Sequence, residues 1–159
     1  HYYHLICDDK ESIHAAYHSV MQKNNFLTAL QESLEKDRQL ERTTEGIHRD
    51  EFEFYLNSQP VKKFGSQGQK KTFLMSLKFA QWALIKSERD KTPILLLDDL
   101  FDKIDEQRAE KILDMIVKDS FGQVFITDTR AERWLVSKNE KIKEYRHFRI
   151  ESGKVLSTE

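Results

Sequence analysis

Gly65-Ser66-Gln67-Gly68-Gln69 and, further along, Ile94-Leu95-Leu96-Leu97-Asp98-Asp99 are the stretches whose reading decides this fold. The first is a small turn that opens a long amphipathic run, roughly Gln69 to Lys86, with Phe73, Leu77, Ala80 and Leu84 on one stripe. Ser66 is suited to cap that helix. A helix start presents unpaired N–H groups and a partial positive charge, so it can hold a phosphate. Gly68 lets the backbone approach closely, and the Ser66 hydroxyl can donate to a phosphate oxygen. The plainer alternative is a capped helix after a hairpin. The second stretch reads as a strand buried on both faces, as at the centre of a parallel or mixed sheet. Carboxylates at the C-terminal end of such a strand stand where open α/β sheets bind ligands. Asp98 is therefore a candidate to hold Mg2+, through water, because a hard cation takes oxygen ligands. Asp99 is a candidate to orient a water beside a γ-phosphate. The alternative is that two polar residues merely mark the strand's end.

Working outward, Phe52, Phe54 and Leu56 alternate with Glu53, Tyr55 and Asn57, which predicts a half-buried strand from Glu51. Asn57-Ser58-Gln59-Pro60 reads as a turn and Val61 to Phe64 as a returning strand. The first forty-odd residues read mostly as helix, an arm or lid with Phe26, Leu27, Leu30 and Leu34 inward. Thr43-Thr44-Glu45-Gly46 breaks it. Downstream, Asp105 to Val117 is helical, with Ile112, Leu113 and Ile116 inward and Asp105 suited to cap it. Gln123 to Thr127 is a second buried strand. Tyr145 to Glu151 and Lys154 to Leu156 form a closing hairpin through Ser152-Gly153. A helix between two apolar strands gives an α/β layer architecture. The expected division is a helical segment over 1–45 and an α/β lobe over 46–159.

Composition narrows the classes. The chain has 159 residues, 38% hydrophobic and 33% charged, enough for one core and unlike a disordered chain or a membrane protein. A net charge of −1 leaves nucleic-acid contact to local patches. The one cysteine, Cys7, excludes an intrachain disulfide and suits a reducing cytosol. No apolar run could span a bilayer, and His1 is not followed by a charged-then-apolar leader, so a cytoplasmic protein, or a piece of one, is expected.

Several single residues have two readings. Thr127 and Thr129 could sense a γ-phosphate, or could be strand-end β-formers. Lys62, Lys63, Lys70, Lys71 and Lys78 could touch a DNA backbone, or form a solvated basic face. His14 and His18 have a helical zinc-binding spacing without further ligands to complete a site. Trp82 and Trp134 are expected in packing rather than as base-stacking platforms.

Taken together, the segments have an order. Thr44 to Glu51, Asn57 to Pro60, Ser66-Gln67-Gly68-Gln69-Lys70-Lys71-Thr72, Leu95 to Arg108 and Gly122 to Thr127 closely resemble the RecF family of DNA replication and repair proteins. The likeness covers about Lys36 to Leu156, with Ile47 where Pro is frequent and Ile104 where Leu is usual. It implies an ABC-type ATPase head lobe: signature helix, central sheet with the Walker B strand, and an N-terminal helical arm segment. It further implies a homodimer formed around ATP, with Ser66, Gln67, Gly68 and Gln69 acting in trans and Asp98 holding Mg2+ in cis. Asp99 would stand where many relatives carry Glu, and Asp105 in the loop that crosses the dimer. Gapped or junction DNA, recombination mediator proteins, recombinase loading and the SOS response are the implied setting. Alternatives are the head of another ABC-type DNA-maintenance ATPase, or an interaction module that does not hydrolyse.

No Gly-x-x-x-x-Gly-Lys-Ser/Thr loop occurs among these residues. The expectation is therefore a C-terminal fragment that by itself neither binds ATP tightly nor turns it over.

Overall fold

A computed structural model describes residues 1–8, 10–22, 25–118, 121–129 and 145–158. Trp134 lies outside the described residues. The chain divides into two compact units, 1–77 and 78–159.

The first unit opens with α1 (Tyr2–Cys7) and β1 (Ile13–His18), followed by α2 (Phe26–Leu40) and β2 (Glu51–Leu56). Then come β3 (Gln59–Pro60), α3 (Val61–Phe64) and the start of α4 (Gln67–Glu88). Residues 13–18 correct the helical expectation. They pair antiparallel with β2, from Ile13 opposite Leu56 to His18 opposite Glu51. This pairing joins residues on both sides of the expected 45/46 boundary. His14 and His18 thus lie on a strand, roughly 13 Å apart at strand rise, too far to share a metal. His18 Nε2 instead meets Glu53 Oε2 at 3.3 Å.

The stripe on α2 also differs. Ala29 and Ser33 are buried, whereas Phe26, Leu27 and Leu34 are exposed. The hairpin turn falls as expected, with Asn57 and Ser58 at φ 47° and 67°, the left-handed pair that matches strand twist. The returning strand is cut to two residues. Val61–Phe64 forms a helical turn instead, because Pro60 supplies no N–H for further pairing and has a φ suited to the entrance of a helix.

The second unit holds the rest of α4, then β4 (Leu95–Leu97), α5 (Glu106–Lys118) and β5 (Val124–Ile126). The hairpin of β6 (Phe148–Glu151) and β7 (Lys154–Thr158) follows, turning at Ser152 and Gly153 with φ 50° and 74°. β4 and β5 run parallel, Leu95 opposite Val124 and Leu97 opposite Ile126, with α5 as the crossover. Leu95 and Leu97 are buried, but Ile94, Leu96 and Phe125 are exposed. In this chain β4 is therefore covered on one face, not on both as its apolar run suggests. On α5, Ile112, Leu113 and Met115 are buried, while Ile116 is half-buried.

The face that α4 buries is a further correction. Thr72, Met75, Ser76, Phe79 and Trp82 are buried; Leu77 and Leu84 are exposed and Phe73 is intermediate. Apolar residues occur around much of this helix, so sequence period alone did not select a face. In the second unit Phe121 fixes it: its ring lies 5.1 Å from Phe79 and 4.4 Å from Trp82, whose Nε1 donates to Pro93 O at 2.9 Å. Thus Trp82 is a packing residue, as expected. In the first unit Ser76 is accommodated because its hydroxyl donates to Thr72 O at 2.9 Å.

Candidate functional site: a capped turn and an acidic strand end

The turn at Ser66 is built from both sides of its own helix start. Gln69 N donates to Ser66 Oγ at 3.1 Å, and Ser66 N donates to Gln69 Oε1 at 2.9 Å. This reciprocal capping box satisfies two N–H groups that a helix start otherwise leaves to solvent. Because Ser66 Oγ accepts in this pair, its proton remains to be donated outward from an exposed residue. Gly65 precedes the turn for a steric reason. A Cβ there would stand 2.7 Å from Val61 O, while Gly65 N donates to that same oxygen at 3.0 Å. In sequence Gly65 is only the first residue of the turn; its steric task is visible in the fold.

Support for Gln69 comes from a distant segment. Gln69 Nε2 donates to Glu11 Oε1 at 2.7 Å, and Tyr3 donates to Glu11 Oε2 at 2.5 Å. Burial, and then the Glu11 hydrogen bond, push the Tyr3 hydroxyl well above the usual tyrosine range, so it stays a donor. Lys62, Lys63 and Lys70 are exposed and Lys71 half-buried.

In the second unit Asp98 and Asp99 follow the C-terminal end of β4, and β5 holds them there. Thr127 donates its hydroxyl proton to Asp98 Oδ1 and accepts from Asp99 N at 3.0 Å. Since that proton is directed at Asp98, the geometry makes Thr127 a support for the acid rather than a free phosphate donor. Asp99 has φ 51°, a left-handed conformation that aspartate tolerates better than most residues. Its backbone stays there because Thr127 Oγ1 takes its N–H.

The loop beyond is anchored by buried Leu100, Phe101 and Ile104. Phe101 N donates to Asp128 Oδ2 at 3.0 Å. Asp128, which sequence reading left without a role, therefore fixes the path from Asp99 towards Asp105; an acid beside Thr127 was the only available signal. Asp105 caps α5, accepting from Arg108 N at 2.9 Å and meeting Arg108 Nε at 3.2 Å. A cavity of about 210 Å³ is lined by Asp99, Lys103, Asp128 and Thr129 among others. A larger depression, about 440 Å³, lies between Ile85 and Pro93. No strand-end carboxylate lines it, whereas Asp99 lines the smaller one, so chemistry favours the smaller.

Among the described residues no three His, Cys, Asp or Glu side chains converge as a metal cage. A Mg2+ carried with a nucleotide does not require one, since one or two carboxylates, waters and phosphates commonly complete its shell. Asp98 fits that use: it is exposed at the strand end, and one oxygen is oriented by Thr127.

No protein-family model matches the chain. It is 47% identical over 132 residues to the DNA replication and repair protein RecF of Flavobacterium johnsoniae, covering 83% of this chain and 37% of that protein. It is 41% identical over 154 residues to RecF of Cytophaga hutchinsonii, covering 97% of this chain and 41% of that one. The chain belongs to the RecF family. A solved structure of the recombination mediator protein RecF-ATP in the RecFOR pathway matches 95% of the chain at a TM-score of 0.64 and 25% identity, covering 40% of its own length. A second, of RecF-ATPrS, matches at 0.65 and 27%. The RecF fold is thus an ABC-type ATPase fold, and this chain spans about two fifths of the length of the curated relatives it matches. These relatives favour RecF over another DNA-maintenance ATPase head. Among the described residues no helix is long and apolar enough to cross a membrane.

Proposed function

We propose that this chain supplies the signature turn and the acidic strand end of an ATP-dependent DNA-repair protein that dimerises around ATP. The observation that carries the reading is the acidic strand end. Two aspartates at the exit of a parallel strand are held by the hydroxyl of the neighbouring strand, beside a cavity that Asp99 lines. Asp98 presents a carboxylate to a nucleotide-borne Mg2+, which when bound would neutralise phosphate charge. Asp99 accepts from and orients the attacking water. The turn at Ser66 offers N–H groups and one hydroxyl proton to the phosphates of a nucleotide held by a second copy. Thr129 remains a candidate phosphate contact at the cavity edge, and Asp105 a residue of the loop crossing between copies.

Lys62, Lys63, Lys70 and Lys71 give a salt-sensitive surface for the DNA backbone, in gapped or junction DNA on which a recombinase is loaded with mediator proteins during the SOS response. ATP shared by two subunits favours the dimer by mass action. Weak ATP hydrolysis by the full-length protein in the cytoplasm then releases it.

The test is Ser66→Arg in the full-length protein. ATP-driven dimers, followed by sedimentation, should vanish while nucleotide binding by the monomer persists. Dimers that form as before would remove the trans role of the turn.

A further inference from the structure

The signature turn rests on a residue far from it in sequence. Glu11 lies between α1 and β1, and its carboxylate accepts from the Tyr3 hydroxyl on one oxygen at 2.5 Å and from Gln69 Nε2 on the other at 2.7 Å, among its contacts. The next residue is tied down independently. Ser12 N donates to Asn57 Oδ1 at 2.8 Å, and Asn57 N donates to Ser12 O at 2.8 Å. Tyr3 is itself buried, with its ring 6.4 Å from that of Phe73 on α4. The carboxylate is thus held in place by α1, the hairpin turn and the helix it serves.

Its effect on Gln69 follows from the chemistry of a primary amide. Gln69 Oε1 is used by Ser66 N, and Gln69 Nε2 by Glu11. A flipped amide would set its NH2 against the Ser66 N–H and its oxygen against a carboxylate, two repulsive contacts instead of two hydrogen bonds. Glu11 therefore selects one orientation of Gln69, and that orientation closes the capping box.

We propose that Glu11 is a positioning residue for the phosphate-facing turn, fixing Gln69 so that Ser66 and the first N–H groups of α4 are set before a second subunit's nucleotide arrives. This rests on the trans reading of the turn. Pre-setting matters because a turn that must be ordered on contact gives up part of its binding free energy to that ordering. Glu11 touches no nucleotide; it acts through Gln69.

The experiment titrates ATP against the full-length protein and reads two quantities, the ATP concentration at half-maximal dimer and the affinity of the monomer for a fluorescent ATP analogue. Glu11→Ala should raise the first about tenfold, the loss expected for one charge-assisted hydrogen bond, and leave the second unchanged. Glu11→Gln should stay close to wild type, since its oxygen can accept from Gln69 while its NH2 donates to the Tyr3 oxygen. Gln69→Glu sets two carboxylates together and should weaken dimers. The double variant Glu11→Gln with Gln69→Glu should restore them, because an S-x-x-E box caps as well as S-x-x-Q and the amide now donates from position 11.

Restoration by the double variant supports the proposal even if Glu11→Ala fails to fold. Normal dimers in Glu11→Ala, or no restoration in the double variant, would overturn it. Ser66→Arg, run beside them, separates the two ideas. If it still dimerises, the trans reading is what fails; if it does not, the Glu11 variants are judged on their own.

Discussion

The turn at Ser66 and the strand end at Asp98 are both candidates to meet phosphate, yet they are held by different means. The turn is closed mostly from within: Ser66 and Gln69 satisfy each other across three residues, and one outside group, Glu11, orients the pair. The strand end has no such local closure. Asp98 and Asp99 are held by Thr127 and the following loop by Asp128, all from the neighbouring parallel strand and its exit. A helix start carries its own unpaired donors, so nearby side chains can complete it. A strand gains partners only through its neighbour, so its end is positioned only as well as the sheet is.

That contrast can be broken at the acid itself. In the full-length protein, Asp99→Asn should lower ATP turnover roughly 10²-fold or more, with nucleotide binding retained, if Asp99 orients the water. A single-turnover assay reads it, and unchanged turnover would leave Asp99 as a mere strand end.

A smaller loss should follow when the acid is left in place and only its support is removed. Thr127→Val deletes an exposed hydrogen bond to a charged group, so turnover should fall on the order of tenfold, the low end for such bonds. Thr127→Ser should recover it. The amide of Asp99 gives a readout apart from activity: its hydrogen exchange should quicken in the valine variant and not in the serine one. Equal exchange in all three would mean that the sheet alone fixes the strand end.

The least effect is expected where closure is local and only partly buried. Asp37 accepts from Thr44 N at 2.8 Å and Thr44 Oγ1 at 2.6 Å, closing the chain after α2. The Thr44 hydroxyl, chiefly, holds its carboxyl below the usual range. A depressed carboxylate contributes stability above the ordinary pKa of about 3.9 and loses it as pH falls through the lower folded value. Asp37→Asn should therefore lower the melting temperature slightly at pH 7, and the gap should close below about pH 4. A gap independent of pH would assign the effect to packing.

Much of this was legible in the residues. Ser66 announced a helix start, although the full box with Gln69 had to be seen. Leu95 to Leu97 followed by two aspartates announced a strand and its exit, and Asp105 announced the cap of α5. The turns at Asn57-Ser58 and Ser152-Gly153 were also readable. By contrast, Ile13 to His18 carries almost no period of two, and only its pairing with β2 makes it a strand. The shortened return after Pro60 was missed because Val61 to Phe64 suits a strand or a helical turn equally.

The sequence by itself determined which segments are helix, strand and turn wherever short-range rules act: caps, breakers, and side chains that repeat with a period. It also determined the family, because the order of the motifs is a property of the chain alone. Only the tertiary structure decided which face of α4 is buried, that Glu11 stands behind Gln69, and that Thr127 holds Asp98. The physical reason is that these contacts join residues far apart in the chain, and such contacts exist only once the backbone has brought them within hydrogen-bonding or packing distance.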